Sequence, residues 1–431
     1  MYNFGGVATT AQLAGIKLVK DPSTYASLFP QSAGTAYQSA SVVLDKNFKF
    51  PQVFRVNLGI DKNLGNGFNA TFEALYTKDI NAVRMRNVNM KNPTGTIQEG
   101  DYTRARYVGT GTATTVNGFT SVGVTTQDRN IYPNNPALSV IALENTNKGY
   151  ATSLTGQLSK TFDNGFNASL AYTYTSAKEA FSTVGTTATN VWTSTSNVGT
   201  SNDVELGNTA FVIPHRIVGS VSYKFNYLDH ASTSIGLFYQ GSAQASVNGG
   251  YSYTIQGDLN GDGNASTDLM YIPKKTSEIT FMPYTTTVNG VAYTYTAQQQ
   301  SAAFEQFINN TPYLKERRGK YAERNASYLP WYNRIDADVK QEFYIKSANG
   351  MKHTLQISAT IINLPNLLSN TWGIQKQTTT AQPLALVGVD ANGNAAYNMR
   401  QLNGTLINTP FQNVYSTGTT WSILMGARYS F

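Results

Sequence analysis

Apolar and polar residues alternate through nine stretches of this chain. In the last, Trp421, Ile423, Met425, Ala427, Tyr429 and Phe431 share one parity, and Ser422, Leu424, Gly426, Arg428 and Ser430 the other. Successive side chains on a strand point to opposite faces. The pattern therefore predicts a strand with one apolar face, aromatic at both ends, and one small or polar face. The first such stretch sets Phe54, Val56, Leu58 and Ile60 against Arg55, Asn57, Gly59 and Asp61. Its partner, Phe68 to Tyr76, follows across Asn66-Gly67, a dipeptide that favours a tight hairpin turn. A second pair, 150–162 and 166–174, reverses at Asp163-Asn164-Gly165. A third, 217–225 and 235–239, reverses near Asp229-His230, and a fourth, 335–343 and 355–361, at Ser347-Ala348-Asn349-Gly350. The words Asn66-Gly67-Phe68-Asn69-Ala70 and Asn164-Gly165-Phe166-Asn167-Ala168 are identical, so one hairpin unit is used twice.

The connections decide what the apolar faces meet. Short turns alternate with polar loops at about 89–149, 179–214, 247–330 and 364–417. Loops of that length are unusual in a compact soluble domain. Outer-membrane barrels combine short periplasmic turns with long external loops, and their strands set lipid on one face against a polar lumen on the other. Charges within the strands obey the same rule. Arg55, Glu73, Lys224, Asp336, Asp338, Lys340 and Arg428 fall on the non-apolar face, where they escape the roughly 2–4 kcal/mol that Arg or Lys costs against lipid at mid-depth. Lys160 breaks the rule, but it lies beside a turn, from which its stem can snorkel to the interface. The expected fold is all-β, an antiparallel transmembrane barrel over residues 51–431. Residues 1–50 are expected to be an irregular segment or external loop. Nine strands is an odd number where single-chain bacterial barrels use even ones. Either the N-terminal part of a larger barrel is missing from these residues, or residues 1–50 contain a strand that the pattern does not reveal.

Composition narrows the partners. The 431 residues contain no cysteine, so no disulfide frame or thiolate metal site is available. Mean hydropathy is −0.29, which suits strands that hide only alternate residues in lipid. No apolar run approaches the length of a membrane helix. The net charge of +7 is scattered, its densest block being Lys315-Glu316-Arg317-Arg318, so nucleic acid is not an expected partner. The N-terminus lacks the basic and apolar regions of a signal peptide. No Gly-x-Ser-x-Gly occurs and the three histidines sit before a strand or near turns. No catalytic role is expected.

Several words carry a resemblance. They are Phe48-Lys49-Phe50-Pro51-Gln52-Val53, Tyr76-Thr77-Lys78-Asp79-Ile80-Asn81-Ala82-Val83, Gly257-Asp258-Leu259-Asn260-Gly261-Asp262-Gly263, Asp268-Leu269-Met270-Tyr271-Ile272-Pro273, Arg318-Gly319-Lys320-Tyr321-Ala322-Glu323-Arg324-Asn325 and Pro330-Trp331-Tyr332-Asn333-Arg334-Ile335-Asp336. In this order the chain from about residue 48 onward resembles the C-terminal barrel region of Oar-like TonB-dependent receptors, common in Bacteroidetes. The resemblance implies a plugged barrel of 22 strands, of which these would be the last nine. It also implies capture of an extracellular ligand and energy supplied by the TonB complex through a segment ahead of the plug. No plug, TonB box or carboxypeptidase-like domain is found in these residues, so TonB would act only through a part not present here. The resemblance also gives Trp421, Tyr429 and Phe431 a role, as the closing-strand signal read by the barrel assembly machinery.

Three groups of site candidates remain. Asp258, Asn260, Asp262, Asn264 and Asp268 set oxygen ligands at alternate positions with Gly263 after the third, as at the start of a Ca²⁺ loop. The loop departs from that pattern at its end, where Leu269 holds the twelfth position and Asp268 the eleventh. A metal-free Asn/Asp/Gly turn cluster is the plainer alternative. Arg318, Glu323, Arg324, Arg334 and Asp336 form a charged segment entering a strand, either for ligand contact at the lumen mouth or as a salt-bridged brace of the wall. The aromatics at the strand ends suit the two interfacial belts of a membrane protein. The functional expectation is an outer-membrane receptor or transporter segment. A passive barrel or adhesin is the alternative.

Overall fold

Hairpins form where the turn chemistry allows the chain to reverse. A computed structural model describes residues 40–132, 139–181, 185–203, 205–243, 250–346 and 350–431. Strand β1 (Gln52–Gly65) turns into β2 (Phe68–Asn87) through Asn66 and Gly67, both at positive φ (50° and 78°). That is the two-residue turn whose twist matches the flanking strands. The identical word at Asn164 turns differently. Three residues separate β3 (Gly149–Thr161, extended by Phe162) from β4 (Phe166–Glu179), and there Gly165 takes the positive φ (87°). Strands β5 (His215–Tyr227) and β6 (Ala231–Ala243) reverse with Leu228 and Asp229 both at φ 53°. Strands β7 (Trp331–Lys346) and β8 (Lys352–Ile362) form the fourth pair, and β9 (Ser422–Ser430) follows. Residues Ser347, Ala348 and Asn349 of the fourth turn lie outside the described residues.

Each strand pairs antiparallel with the next, from β1 through β9. Among the described residues β1 pairs only with β2 and β9 only with β8. Beyond the meander, β2 runs on to pair with Ser139–Thr146, which takes Ala40–Leu44 as a parallel neighbour. The segment read as irregular thus contributes a short strand at its end, while residues 1–39 lie outside the described set.

One face of the meander is apolar and uncovered. Leu58, Leu170, Ile357 and Met425 are 55, 57, 51 and 79% exposed. Aromatics band its two ends. Phe162 and Phe166, the stacked Tyr223, Phe225 and Tyr227, and Tyr429 with Phe431 lie at the turn end. Tyr172, Tyr174 and His215 pack together at the other. From Phe166 to Tyr174 is roughly 26 Å of strand at the usual rise, or about 20 Å of height at the usual tilt of barrel strands, which falls within an apolar band about 25 Å tall. The opposite face is polar and internally bonded. Glu342 accepts from Lys224, Ser232 and Gln356, Asp338 from Thr360, and Ser169 pairs with Ser220.

The buried core is elsewhere. Beyond the strand ends opposite the short turns, the long loops fold onto one another around Tyr253, Met270, Ile272, Phe304, Phe307, Leu384 and Met399. Helix α1 (Ala297–Asn309) contributes Phe304, Phe307 and Ile308, all fully buried, and opens on a capping box between Thr296 and Gln299. A smaller cluster joins Met90, Tyr107, Ile141, Phe181 and Trp192. The connections, polar on average, therefore carry a folded cap.

Candidate ligand-binding site in the loop cap

The cap is pinned by one arginine. Arg104 lies on the strand Tyr102–Arg106, which pairs with Gly95–Glu99. Its side chain is wholly buried. Nε donates to Glu99 Oε2 at 2.8 Å, Nη1 to the Val198 carbonyl at 2.7 Å, and Nη2 to the Leu269 carbonyl at 2.6 Å. Nη1 also lies 3.8 Å from Asp268 Oδ1, and the Tyr321 ring stands 5.0 Å away. Four segments distant in sequence thus meet at one guanidinium. Burial opposes its charge, but Glu99 and Asp268 more than offset this and hold the group above its ordinary value.

The five predicted metal-loop residues lie together beside that hub. Asp258 accepts N–H bonds from Gly261 and Gly263, Asn260 from Asp262, and Asp262 from Asn264 and Ser201. Asp268 Oδ2 accepts from the Leu259 N–H, while its Oδ1 is buried without a hydrogen-bond donor. Burial and the neighbouring Asp258 push Asp262 up to about 6. Among the described residues no group of three or more His, Cys, Asp or Glu side chains is gathered to hold a metal ion. As folded, the loop is closed by backbone donors and by Arg104.

A cavity of about 250 Å³ opens next to the hub, with Tyr102, Glu205, Lys320, Tyr321, Glu323 and Arg324 in its lining. Arg324 is 4% exposed. Its Nη2 donates to the Glu179, Ala180 and Glu205 carbonyls, but its buried Nε has no acceptor. Gly207 makes room for it, since a Cβ there would sit 2.5 Å from that Nε. Glu205 is held by one long bond, from the Val198 N–H at 3.4 Å, and burial raises its affinity for a proton. A weakly held carboxylate therefore shares one recess with the cations Arg317, Lys320 and Arg324, and a small polar solute could bond to it there.

The predicted charged segment is divided. Glu323, paired with Arg317 at 3.2 Å, and Arg324 line the cavity. Arg318 turns to Glu305 and Asn309 on α1. Arg334 pairs with Asp336 at 2.7 Å on β7, where Asp336 also accepts the Asn363 N–H. Trp421 bonds Asn366 through its backbone N–H, Tyr429 Oη meets His353 Nδ1 at 2.7 Å, and Phe431 packs on Tyr429. Sequence reasoning missed Arg104, Glu99, Tyr102 and Glu205. Nothing in their spacing marks them: Glu99 and Arg104 meet across one short hairpin, but what makes that pair a hub, the Val198 and Leu269 carbonyls and Asp268, comes from other loops.

Comparison with known proteins gives a family and one low-scoring structural match. A family model described as an outer membrane beta barrel domain matches residues 2–394. No curated protein matches. Among solved structures, the outer membrane transporter YddB from Escherichia coli is similar at 11% identity and a TM-score of 0.32, covering 91% of this chain and 35% of that one. The chain spans about a third of that transporter's length.

Proposed function

This chain belongs to the outer membrane β-barrel domain family and resides in the bacterial outer membrane, and from that premise we propose that it is the C-terminal part of a TonB-dependent receptor. Its external cap would admit a small polar solute to the Glu205–Arg324 recess. The observation that carries this reading is the cavity itself, in which the weakly held Glu205 carboxylate shares a lining with Arg317, Lys320 and Arg324. The motif resemblance supplies the link to TonB. The role is capture and transport, with no reaction assigned. The test uses cells expressing the intact gene. Solutes retained by the purified receptor from fractionated medium are identified by mass spectrometry, and their uptake is then followed. Glu205→Gln with Lys320→Ala should weaken retention about tenfold, the loss of one charge-assisted bond or more. Deleting TonB should abolish uptake. Undiminished uptake in that strain would instead favour a passive barrel, and retention without uptake in either strain an adhesin.

Calcium at the 258–268 loop is the second part of the proposal. Asp258 and Asp262 crowd one another in a buried loop, and Asp268 Oδ1 lacks a donor. A dication would suit these oxygens together with those of Asn260 and Asn264. It would have to draw Asp268 from Arg104. Titrating Ca²⁺ into the folded chain in a calorimeter should give a binding heat that Asp262→Ala removes. Equal heats in the two proteins would sink the calcium assignment while leaving the recess untouched.

A further inference from the structure

The apolar face of the meander is not uniform. Between Leu158, Leu170, Val221, Leu237, Tyr239 and Ile335 it dips into a groove of about 520 Å³ that also takes in Phe68 and Lys160. Its floor is set by two small residues. Gly219 pairs with Leu170 on one side and Tyr239 on the other, and Ala168 lies between Lys160 and Val221. With a leucine or valine at these positions the rows of side chains would run unbroken.

Lys160 is the charged residue of that groove, and it stands at the end next to the Asp163-Asn164-Gly165 turn. Its Nζ lies 4.1 Å from the Phe68 ring centre and 4.3 Å from that of Phe162. No carboxylate is within ion-pair reach of it among the described residues. Two rings therefore hold an ammonium on the lipid-facing side, level with the aromatic belt, without neutralising it. Short turns mark the periplasmic end of such barrels. At that depth the anionic groups are the phosphates of the periplasm-facing leaflet.

We propose that this groove is a seat for one glycerophospholipid of the periplasm-facing leaflet, with an acyl chain over Gly219 and Ala168 and the phosphate on Lys160. The groove, continuous with the apolar band, supplies the tail's surroundings, and the uncompensated ammonium supplies charge complementarity for the headgroup. Lys62 is the internal comparison. It too follows the apolar parity of its strand near a short turn, but it does not line the groove.

The test is native mass spectrometry of the folded full chain in detergent micelles titrated with phosphatidylglycerol. One lipid should be retained at saturation. Lys160→Gln should weaken retention about fivefold, the usual worth of one basic residue near an anionic surface, and Gly219→Leu should weaken it by blocking the floor. Lys62→Gln should change nothing. Diacylglycerol with the same chains should be retained less than phosphatidylglycerol by the unmodified protein, a comparison that holds even if a variant fails to fold. Equal loss from Lys160→Gln and Lys62→Gln would reduce the effect to general surface attraction and overturn the seat. So would equal retention of diacylglycerol, or full retention by folded Gly219→Leu.

Discussion

Arg104→Met is expected to loosen the cap by about 3–5 kcal/mol, the usual consequence of removing one partner from a buried charge cluster. The substitution keeps an apolar stem of similar length. It leaves Glu99 and Asp268 buried without their cation, and leaves the Val198 and Leu269 carbonyls without their donor. Hydrogen exchange resolves the effect by segment. Amides around 95–106, 196–203 and 258–272 should exchange faster by roughly two to four powers of ten, at about tenfold per 1.4 kcal/mol. The strands β3 to β6 should keep their protection, because their pairing does not involve Arg104. Adding Glu99→Gln and Asp268→Asn should restore part of the loss by removing the stranded charges. Unchanged exchange in all three segments would mean that Arg104 is not the pin of the cap.

A single arginine can distinguish the two faces of the wall. Leu170 lies midway between the Phe166 and Tyr174 belts on the apolar face, and Ser169 beside it points to the polar side. Leu170→Arg is expected to cost roughly 2–4 kcal/mol when the chain is folded into bilayers. Ser169→Arg should cost about 1 kcal/mol or less, since it forfeits one hydroxyl bond on a wetted face. Equilibrium refolding from denaturant into lipid vesicles measures both. Equal costs would contradict a lipid-facing assignment for Leu170.

The wall was readable in the sequence because its grammar is local. Period-two alternation and an Asn-Gly or Asp-Asn-Gly turn are complete within some twenty residues, so the pairing of β1 with β2 and of β3 with β4 follows from the residues alone. Even Lys160 stands out there as an exception, although the two rings that hold it do not. The cap was not readable, for the opposite reason. Leu269–Ile272 and Leu384–Val387 are apolar runs of only four residues, and Phe304, Phe307 and Ile308 have helical spacing in a single short segment, so none of them names its partners and only the assembled loops make them a core. The Asp258–Asp268 loop was visible as a word. Its connection to Arg104 was not, since 165 positions separate Arg104 from the Leu269 carbonyl that it bonds.

That difference in range has a kinetic side. In the meander each strand pairs with the next, alternately across a short turn and across a long loop, and even its most distant partners, Ala231 and Phe343, are far closer in sequence than the extreme contacts of the cap. In the cap, Arg106 bonds the carbonyl of Asp390, 284 positions away. Contacts of such high order form late, after the entropy of closing long loops has been met. On that ordering the wall is expected to assemble first as a template, with the cap condensing on it afterwards from segments the strands have already delivered to one place. During that interval Tyr253, Phe304 and Phe307 are exposed to the surroundings of the outer surface, and this is the stage at which the chain is most open to proteolysis and to misassociation with its neighbours.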